Sequence, residues 1–224
     1  MYLTDNGFWS PDGFKGDTYM SPILLNGMPG RDLAVIRECL DLCGLRRRKA
    51  VDAGAFMGAW SLHLLRHFNH VISLEPIEEN FHCLSRNMNS RLAHGARATS
   101  TLMNKTLSNT NDPLVLELGD PPRPFSWQAV KSFFVPKEDK KGPLVKAVTL
   151  DSLELEEVDF LRLNVGNYAH DAIRGALKTI GRCTPTILVE GDRGDDDDAS
   201  HELLIMIGMS LEVQMGKTKR IYTW

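Results

Sequence analysis

The residues best placed to do chemistry lie between positions 50 and 87, around two glycines and one glutamate. An apolar run over 49–53 indicates a buried strand, and Gly54 and Gly58 follow it in a short turn. Because glycine has no Cβ, the backbone can bend sharply there and approach a ligand closely. Glu75 ends the next apolar run, where a carboxylate can accept hydrogen bonds from two ribose hydroxyls. The order strand, glycine turn, helix, strand and acid predicts a nucleoside pocket.

The spacing of the turn indicates which nucleoside. A dinucleotide site would read GxGxxG, whereas Ala53, Gly54, Ala55 and Gly58 give AGAxxG, with Asp52 just before the turn. This pattern resembles motif I of class I methyltransferases, which bind S-adenosylmethionine. The resemblance implies that Gly54, Ala55 and Gly58 line the methionine part of that cofactor. Asp52 is interpreted as a residue that holds the turn or the cofactor's amino group through water, or that caps the following backbone.

Two further residues are expected at the cofactor. Glu75 is predicted to bind the ribose, with Pro76 directly after it. In related folds the residue after the third strand touches the adenine, and here that position falls near Asn104 and Lys105. Asn104 is therefore expected at the adenine. The alternative for Glu75 is an exposed loop acid.

The elements that must position these residues alternate between strands and helices. The segments 49–53, 71–74, 96–103, 158–164 and 186–190 are predicted strands, and helical spacing appears at 31–43, 59–68, 78–91, 171–181 and 200–209. Such alternation predicts an α/β fold with helices on both faces of a mostly parallel sheet. We expect a Rossmann-like doubly wound sheet of the class I methyltransferase type, ending in an antiparallel hairpin over 211–224.

Composition limits the classes of partner. A net charge of −3 over 224 residues gives no general attraction for a phosphate backbone, so a nucleic-acid substrate is disfavoured but stays open. The basic run 46–49 is interpreted as a solvated connector. Cys39 and Cys43 are interpreted as small core residues, and the absence of a disulfide framework favours a cytoplasmic location. The N-terminal sequence shows no signal peptide pattern, and no apolar stretch is long enough to cross a bilayer, so no membrane contact is expected.

Two segments fall outside the regular pattern. Residues 1–30 are rich in Gly, Pro, Asp and aromatics, which predicts an irregular arm that packs on the domain or covers its site, leaving 31–224 as the methyltransferase domain. Residues 119–143 form an inserted loop with Trp127, Phe133 and Phe134. Loops this long are uncommon without a function. The aromatics either cover the pocket as a substrate lid or pack on the core.

A second set of motifs resembles the FkbM-type methyltransferases. Here VDAGAFMG stands for that family's VDiGAnxG, and SLEP for its fEP; TLDSL (149–153), VDF (158–160), RGA (174–176) and ILVE (187–190) follow in the same order. The resemblance covers about 49–190. It implies an S-adenosylmethionine-dependent enzyme that methylates a hydroxyl of a small molecule or glycan.

The chain departs from that family where KiDvEGaE would stand. Asn164 replaces the aspartate, and Gly166 and Ala169 replace the two glutamates. An amide cannot act as a carboxylate base or bind a divalent cation well, so deprotonation assisted by a metal or by this carboxylate is in doubt here, and no residue is assigned as a metal ligand. Three interpretations stay open: another base acts, with His170 nearest; the nucleophile differs, such as a nitrogen held by Asn164; or the protein binds the cofactor with little activity, as an interaction or regulatory module.

Glu190 completes the candidate set. It ends a predicted central strand at the edge of the sheet where α/β proteins place ligands. It is expected either to bind or activate the acceptor or to pair with a nearby arginine, for which Arg162 is the candidate. Asn164, His170 and Glu190 are thus the predicted catalytic residues; the alternative for His170 is a surface histidine at the start of a helix. Residues 195–198, four aspartates, are interpreted as a solvated lead into a helix.

Overall fold

The structure is a computed structural model that describes residues 1–4, 7–12, 30–93, 97–117, 133–136, 142–166, 168–191 and 195–224. The strands are β1 (Tyr2–Leu3), β2 (Trp9–Ser10), β3 (Lys49–Ala53), β4 (His70–Leu74), β5 (Thr99–Met103), β6 (Thr106–Leu107), β7 (Leu114–Glu117), β8 (Phe133–Pro136), β9 (Leu144–Val145), β10 (Ala147–Val148), β11 (Val158–Leu163), β12 (Thr186–Glu190), β13 (Ser210–Met215) and β14 (Lys219–Thr223). The helices are α1 (Gly30–Cys43), α2 (Ala59–Leu64), α3 (Glu78–Ala93), α4 (Ala169–Arg174), α5 (Leu177–Cys183) and α6 (Asp195–Met206), with a 3-10 helix at Asp151–Leu153.

Seven strands form the central sheet, in the order β13-β14-β12-β11-β3-β4-β5. Counted along the chain, these seven strands lie in the order 3-2-1-4-5-7-6 when the sheet is read from β5. Within the described part of the chain, β14 alone runs antiparallel to its neighbours in this sheet, because it folds back from β13 and inserts beside β12. The mostly parallel sheet was predicted, and the closing pair of strands begins one residue earlier than expected.

Helices cover both faces of this sheet, because successive strand residues point to opposite sides. In β11, Phe160 faces α1, α2 and α3, where it packs with residues such as Val35, Leu64 and Leu84. The next residue, Leu161, faces α4, α5 and α6 and joins the other half of the core. Cys39 and Cys43 are buried in the first of these layers, as predicted. The result is a helix–sheet–helix sandwich whose strand ends are free to build a site.

Three predicted elements differ from the observed ones. The helix predicted over 171–181 is two helices, α4 and α5, which break at Gly175. A Cβ on Gly175 would lie 1.8 Å from the carbonyl oxygen of Ser108, so a neighbouring loop occupies the space beside the break. The helix predicted over 59–68 ends at Leu64. The last helix begins at Asp195 instead of residue 200, so the segment predicted to lead into the helix forms its first turn.

The basic run 46–49 leads from α1 into β3, and its arginines are partly exposed, as predicted for a connector, but Arg46 and Arg48 also bind a buried acid. Arg48 donates to both oxygens of Asp159, with Nε–Oδ2 at 3.0 Å, and Arg46 Nε donates to Oδ1 at 3.2 Å. The Asp159 side chain is fully buried. Burial alone would raise its pKa, but the arginine hydrogen bonds hold the pKa below its ordinary value. The run therefore fastens β3 to β11 at the amino ends of the strands.

The described part of the N-terminal arm packs on the domain. β1 and β2 pair antiparallel, and Trp9 exchanges hydrogen bonds with Asn87 of α3. The Arg86 guanidinium lies 4.2 Å from the centre of the Trp9 ring. Residues 13–29 of the arm lie outside the described residues, as do 119–132 and 137–141 of the inserted loop and the side chains of Phe133 and Phe134. The predicted domain limits and the lid stay predictions.

Candidate cofactor site

The glycine turn after β3 is held by two other strands. The N–H groups of Gly54 and Ala55 both donate to the carbonyl of Leu74 at the end of β4, at 2.9 Å each. Gly54 has φ +78°, and a Cβ there would lie 1.9 Å from the carbonyl oxygen of Asn164. Only glycine fits that approach. Gly58, with φ +94°, precedes α2 and packs on Leu84.

Glu75 follows β4 and is almost fully buried, with 4% of its surface exposed. Its Oε2 accepts from Phe56 N at 2.9 Å, and its Oε1 accepts from Ile77 N at 3.0 Å and from Asn80 Nδ2 at 3.3 Å. Burial raises the pKa of Glu75 to about 7, against these three hydrogen bonds, which lower it. The prediction of an exposed loop acid is therefore wrong, and the acid is built into the turn.

A cavity of about 220 Å³ opens next to Glu75. Pro76 and Asn104, predicted separately, both line it, and the Asn104 amide donates to the carbonyls of Glu75 (2.9 Å) and Pro76 (3.2 Å). The other lining residues are Ile77, Glu78, Leu116, Pro143, Leu144, Val145 and Lys146. The volume is smaller than the roughly 300–1,000 Å³ of pockets that bury a whole drug-sized ligand, so it suits one part of a cofactor, such as a planar base.

Asn164 and His170 lie near the end of β11. Asn164 is exposed and follows the strand directly, with its N–H donating to the carbonyl of Ala53 at 2.9 Å. The structure thus places it beside the glycine turn. His170 is half-buried in the first turn of α4. Tyr168, which precedes that helix, packs with Ile77 against the cluster of Leu114, Leu116, Val145 and Ala147, so the start of α4 and the cavity wall share one apolar patch.

Asp52 and Glu190 are joined in a buried charge network through Arg162. Arg162 donates from Nη1 to Asp52 at 2.6 Å and from Nε to Glu190 at 2.5 Å, and Glu190 also accepts from Lys219. The Arg162 guanidinium lies 4.4 Å from the centre of the Trp60 ring. The predicted Arg162–Glu190 pair is confirmed. Asp52 also accepts from Ser61 at 2.6 Å, so protein groups already contact both of its oxygens.

The charges set the protonation state of this network. Burial alone would raise the pKa of Glu190, but Arg162 and Lys219 hold it below its ordinary value. An ionised carboxylate bound by two cations is a weak general base. The catalytic roles of Glu190, Asn164 and His170, and the cofactor contact of Asp52, stay predictions.

Sequence reasoning missed two contributors to the site. Lys219 reaches Glu190 and, at 2.9 Å, Asp32 of α1, although these residues stand at opposite ends of the chain. The sequence marks Asn80 only as one position in a helix, yet its amide holds Glu75. No short motif marks Lys219, whereas Asn80 follows five residues after Glu75, an acid that a motif already marks. Among the described residues, no group of three or more His, Cys, Asp or Glu side chains could hold a metal.

The strand order, the single inserted antiparallel strand and the glycine turn define a class I methyltransferase fold. A family model, the methyltransferase FkbM domain, matches residues 52–218. The chain therefore belongs to the FkbM methyltransferase domain family, whose class uses S-adenosylmethionine as methyl donor. No curated protein matches it at a significant level.

Solved structures agree on the fold. FkbM methyltransferase from Methylobacillus flagellatus matches with a TM-score of 0.59 and 14% identity, over 80% of this chain and 44% of that chain. Precorrin 8w decarboxylase from Methanobacterium thermoautotrophicum matches over 100% of both chains, with a TM-score of 0.52 and 13% identity. Precorrin-6y C5,15-methyltransferase from Geobacter metallireducens matches over 100% of this chain and 97% of that one, with a TM-score of 0.51 and 13% identity. The chain thus spans less than half of the Methylobacillus protein, and identities this low show the fold alone.

Proposed function

We propose that this protein transfers the methyl group of S-adenosylmethionine to a hydroxyl of a small molecule or glycan. The observation that carries the cofactor assignment is the meeting of four features at one edge of the sheet. These are the glycine turn, the buried Glu75, the exposed Asn164 beside Gly54, and the cavity between Pro76 and Asn104. The adenine would occupy the cavity, the ribose would lie at Glu75, and the methionine part would follow the turn toward Asn164.

Methyl transfer from a sulfonium is an in-line displacement in which the acceptor oxygen attacks the methyl carbon and the thioether leaves. The donor is already activated, so the protein mainly aligns the two partners and excludes water. Alignment alone can contribute roughly 7–11 kcal/mol. A base that takes the hydroxyl proton would add about 10²–10⁴-fold. His170, half-buried in the first turn of α4, is the proposed base.

The hydroxyl acceptor rests on the resemblance of the TLDSL, EP and motif I segments to FkbM-type enzymes. One observation favours a second candidate. Asn164 stands where the family has an aspartate, and its exposed amide can hold a nitrogen acceptor by hydrogen bonds without removing a proton. A nitrogen nucleophile is therefore the alternative acceptor, on a nucleotide or another small molecule.

Binding and turnover test these proposals separately. S-adenosylmethionine at a hundredfold excess over Kd should stabilise the protein by about 2.7 kcal/mol. Transfer of a labelled methyl group to glycans, small alcohols, nucleotides or cell-extract metabolites should then identify the acceptor. His170→Ala should lower kcat and leave cofactor binding unchanged. Binding without any turnover would leave a cofactor-binding module, and absence of binding would refute the cofactor assignment.

A further inference from the structure

Asn80, in the first turn of α3, has a buried polar atom that no part of the described chain satisfies. The residue is 4% exposed, and its Nδ2 donates to Glu75 Oε1 at 3.3 Å. Its Oδ1 is buried without a hydrogen-bond partner among the described residues. Leaving such an acceptor unpaired in the protein interior is unfavourable, so it needs an explanation.

A second asparagine on the same helix, Asn87, forms hydrogen bonds through both the oxygen and the nitrogen of its side-chain amide. Asn87 is 3% exposed, accepts from Trp9 N at 2.7 Å, and donates to the carbonyls of Trp9 (2.9 Å) and Met57 (2.8 Å). Both the oxygen and the nitrogen of the Asn87 amide therefore bind backbone groups of the protein. Asn80 uses only its nitrogen, and it uses it on the one acid that the cofactor proposal assigns to the ribose.

The Glu75 carboxylate is unevenly occupied. Oε1 accepts from two donors, Ile77 N and Asn80 Nδ2, whereas Oε2 accepts from one donor among the described residues, Phe56 N. A carboxylate oxygen offers about two acceptor directions, so Oε2 keeps one for a further donor. The neighbouring Asn80 Oδ1 is a second unused acceptor. A ribose brings two hydroxyl donors on adjacent carbons, which matches this pair in number and kind.

We propose that Asn80 and Glu75 together recognise the ribose diol of the cofactor. Glu75 Oε2 accepts from one hydroxyl, and Asn80 Oδ1 accepts from the other, directly or through one ordered water. The Asn80 amide at the same time fixes the orientation of Glu75. This inference rests on the proposed function, and it assigns ribose specificity to a residue outside the glycine turn and the strand end.

The test compares ligands that differ by one hydroxyl. Isothermal titration would measure Kd for S-adenosylhomocysteine and for its 2′-deoxy and 3′-deoxy analogues. The wild type should bind both analogues at least about tenfold more weakly, because each leaves one acceptor unpaired. Asn80→Leu should weaken binding of S-adenosylhomocysteine about tenfold and reduce the discrimination against one analogue to about onefold.

Asn87→Leu is the matched control, since it removes an equally buried amide from the same helix. It should lower the Tm and leave both discrimination ratios as in the wild type. Asn80→Ala repeats the measurement if the leucine variant does not fold. Unchanged ratios in the Asn80 variants, with normal binding by the wild type, would overturn only the role of Asn80. Failure of the wild type to bind S-adenosylhomocysteine would overturn both this inference and the proposed function.

Discussion

Glu75 is the residue where burial and chemistry are most tightly coupled. Its carboxylate lies at the start of α3, where the positive end of the helix favours negative charge. Burial opposes ionisation and raises its pKa to about 7, with the nearby Asp52 adding to the rise. The group therefore changes charge within the range of pH at which enzymes work. The effect of the Glu75 charge on stability can be measured in the absence of ligand, separately from its effect on cofactor binding.

The pH dependence of folding should reveal this carboxyl. Its pKa rises from an ordinary value of 4.5 to about 7 in the folded protein, so the fold holds a proton that the unfolded chain has lost. The contribution of Glu75 to the free energy of unfolding should then fall as pH rises from 4.5 to 7, by about 3 kcal/mol, and level off above 7. Urea unfolding at several pH values would measure it.

Glu75→Gln should remove this part of the pH dependence. A neutral side chain has no proton to lose, although its amide faces one backbone donor and lowers stability uniformly. Glu202→Gln, at an exposed position of α6, is the control and should follow the wild-type curve. Identical slopes for Glu75→Gln and the wild type between pH 5 and 7 would contradict the raised pKa.

At the scale of elements, the glycine turn after β3 depends on backbone packing more than on backbone conformation. Gly54 and Gly216 both have positive φ, +78° and +64°. A Cβ on Gly54 would meet the carbonyl oxygen of Asn164 at 1.9 Å, whereas a Cβ on Gly216 would have nothing within 4 Å. Gly216→Ala should therefore cost about 1–2 kcal/mol of left-handed strain alone.

Gly54→Ala should cost more, about 3–5 kcal/mol, because strain adds to a clash between two strand ends. Gly58→Ala should fall between them, since its Cβ would meet the movable end of the Leu84 side chain at 2.8 Å. Chemical denaturation of the three variants would rank them. Equal losses for Gly54→Ala and Gly216→Ala would show that the approach to Asn164 is not tight.

Local pattern predicted which elements exist, and tertiary contact decided where they end. β12 was predicted over its full length because three apolar residues between a threonine and an acid mark it. The break between α4 and α5 could not be predicted, since helical spacing continues through it and the cause is a loop around Ser108. Glu75 and the glycine turn could be predicted because they belong to motifs whose residues lie close together in the sequence. Asn80 and Lys219 could not, because their roles depend on partners that folding brings close.

At the scale of the molecule, ion pairs around buried carboxylates connect the central strands at both ends. Asp159 with Arg46 and Arg48 joins β3 and β11 at their amino ends. Arg162 joins the same strands at their carboxyl ends through Asp52, and extends the link to β12 and β14 through Glu190. Lys219 also pairs with Asp32, so this ion-pair network reaches α1. The carboxyl-end network lies directly before the glycine turn, so it supports the edge that is proposed to bind the cofactor.

Removing the central cation should destabilise the whole sheet. Arg162→Met would leave Asp52, with 0% of its side chain exposed, and Glu190, with 11%, as buried carboxylates without their main counterion. Breaking a buried pair in this way costs about 3–5 kcal/mol. The unfolding free energy at pH 7 would measure the loss. Lysine at this position keeps the charge but not the fork that reaches two acids, so Arg162→Lys should recover only part of it.

A double variant separates charge from packing. Asp52→Asn in the Arg162→Met background removes one uncompensated charge, so it should recover about 1–3 kcal/mol, whereas Asp52→Asn alone should destabilise. The linked pH effect has a definite sign. Glu190 has a lowered pKa, so its contribution is present above its unfolded value of 4.5 and disappears as pH falls through the folded value. Arg162→Met should weaken this acid dependence. Additive losses in the double variant would mean that Arg162 stabilises the sheet by packing on Trp60 and not by joining the two acids.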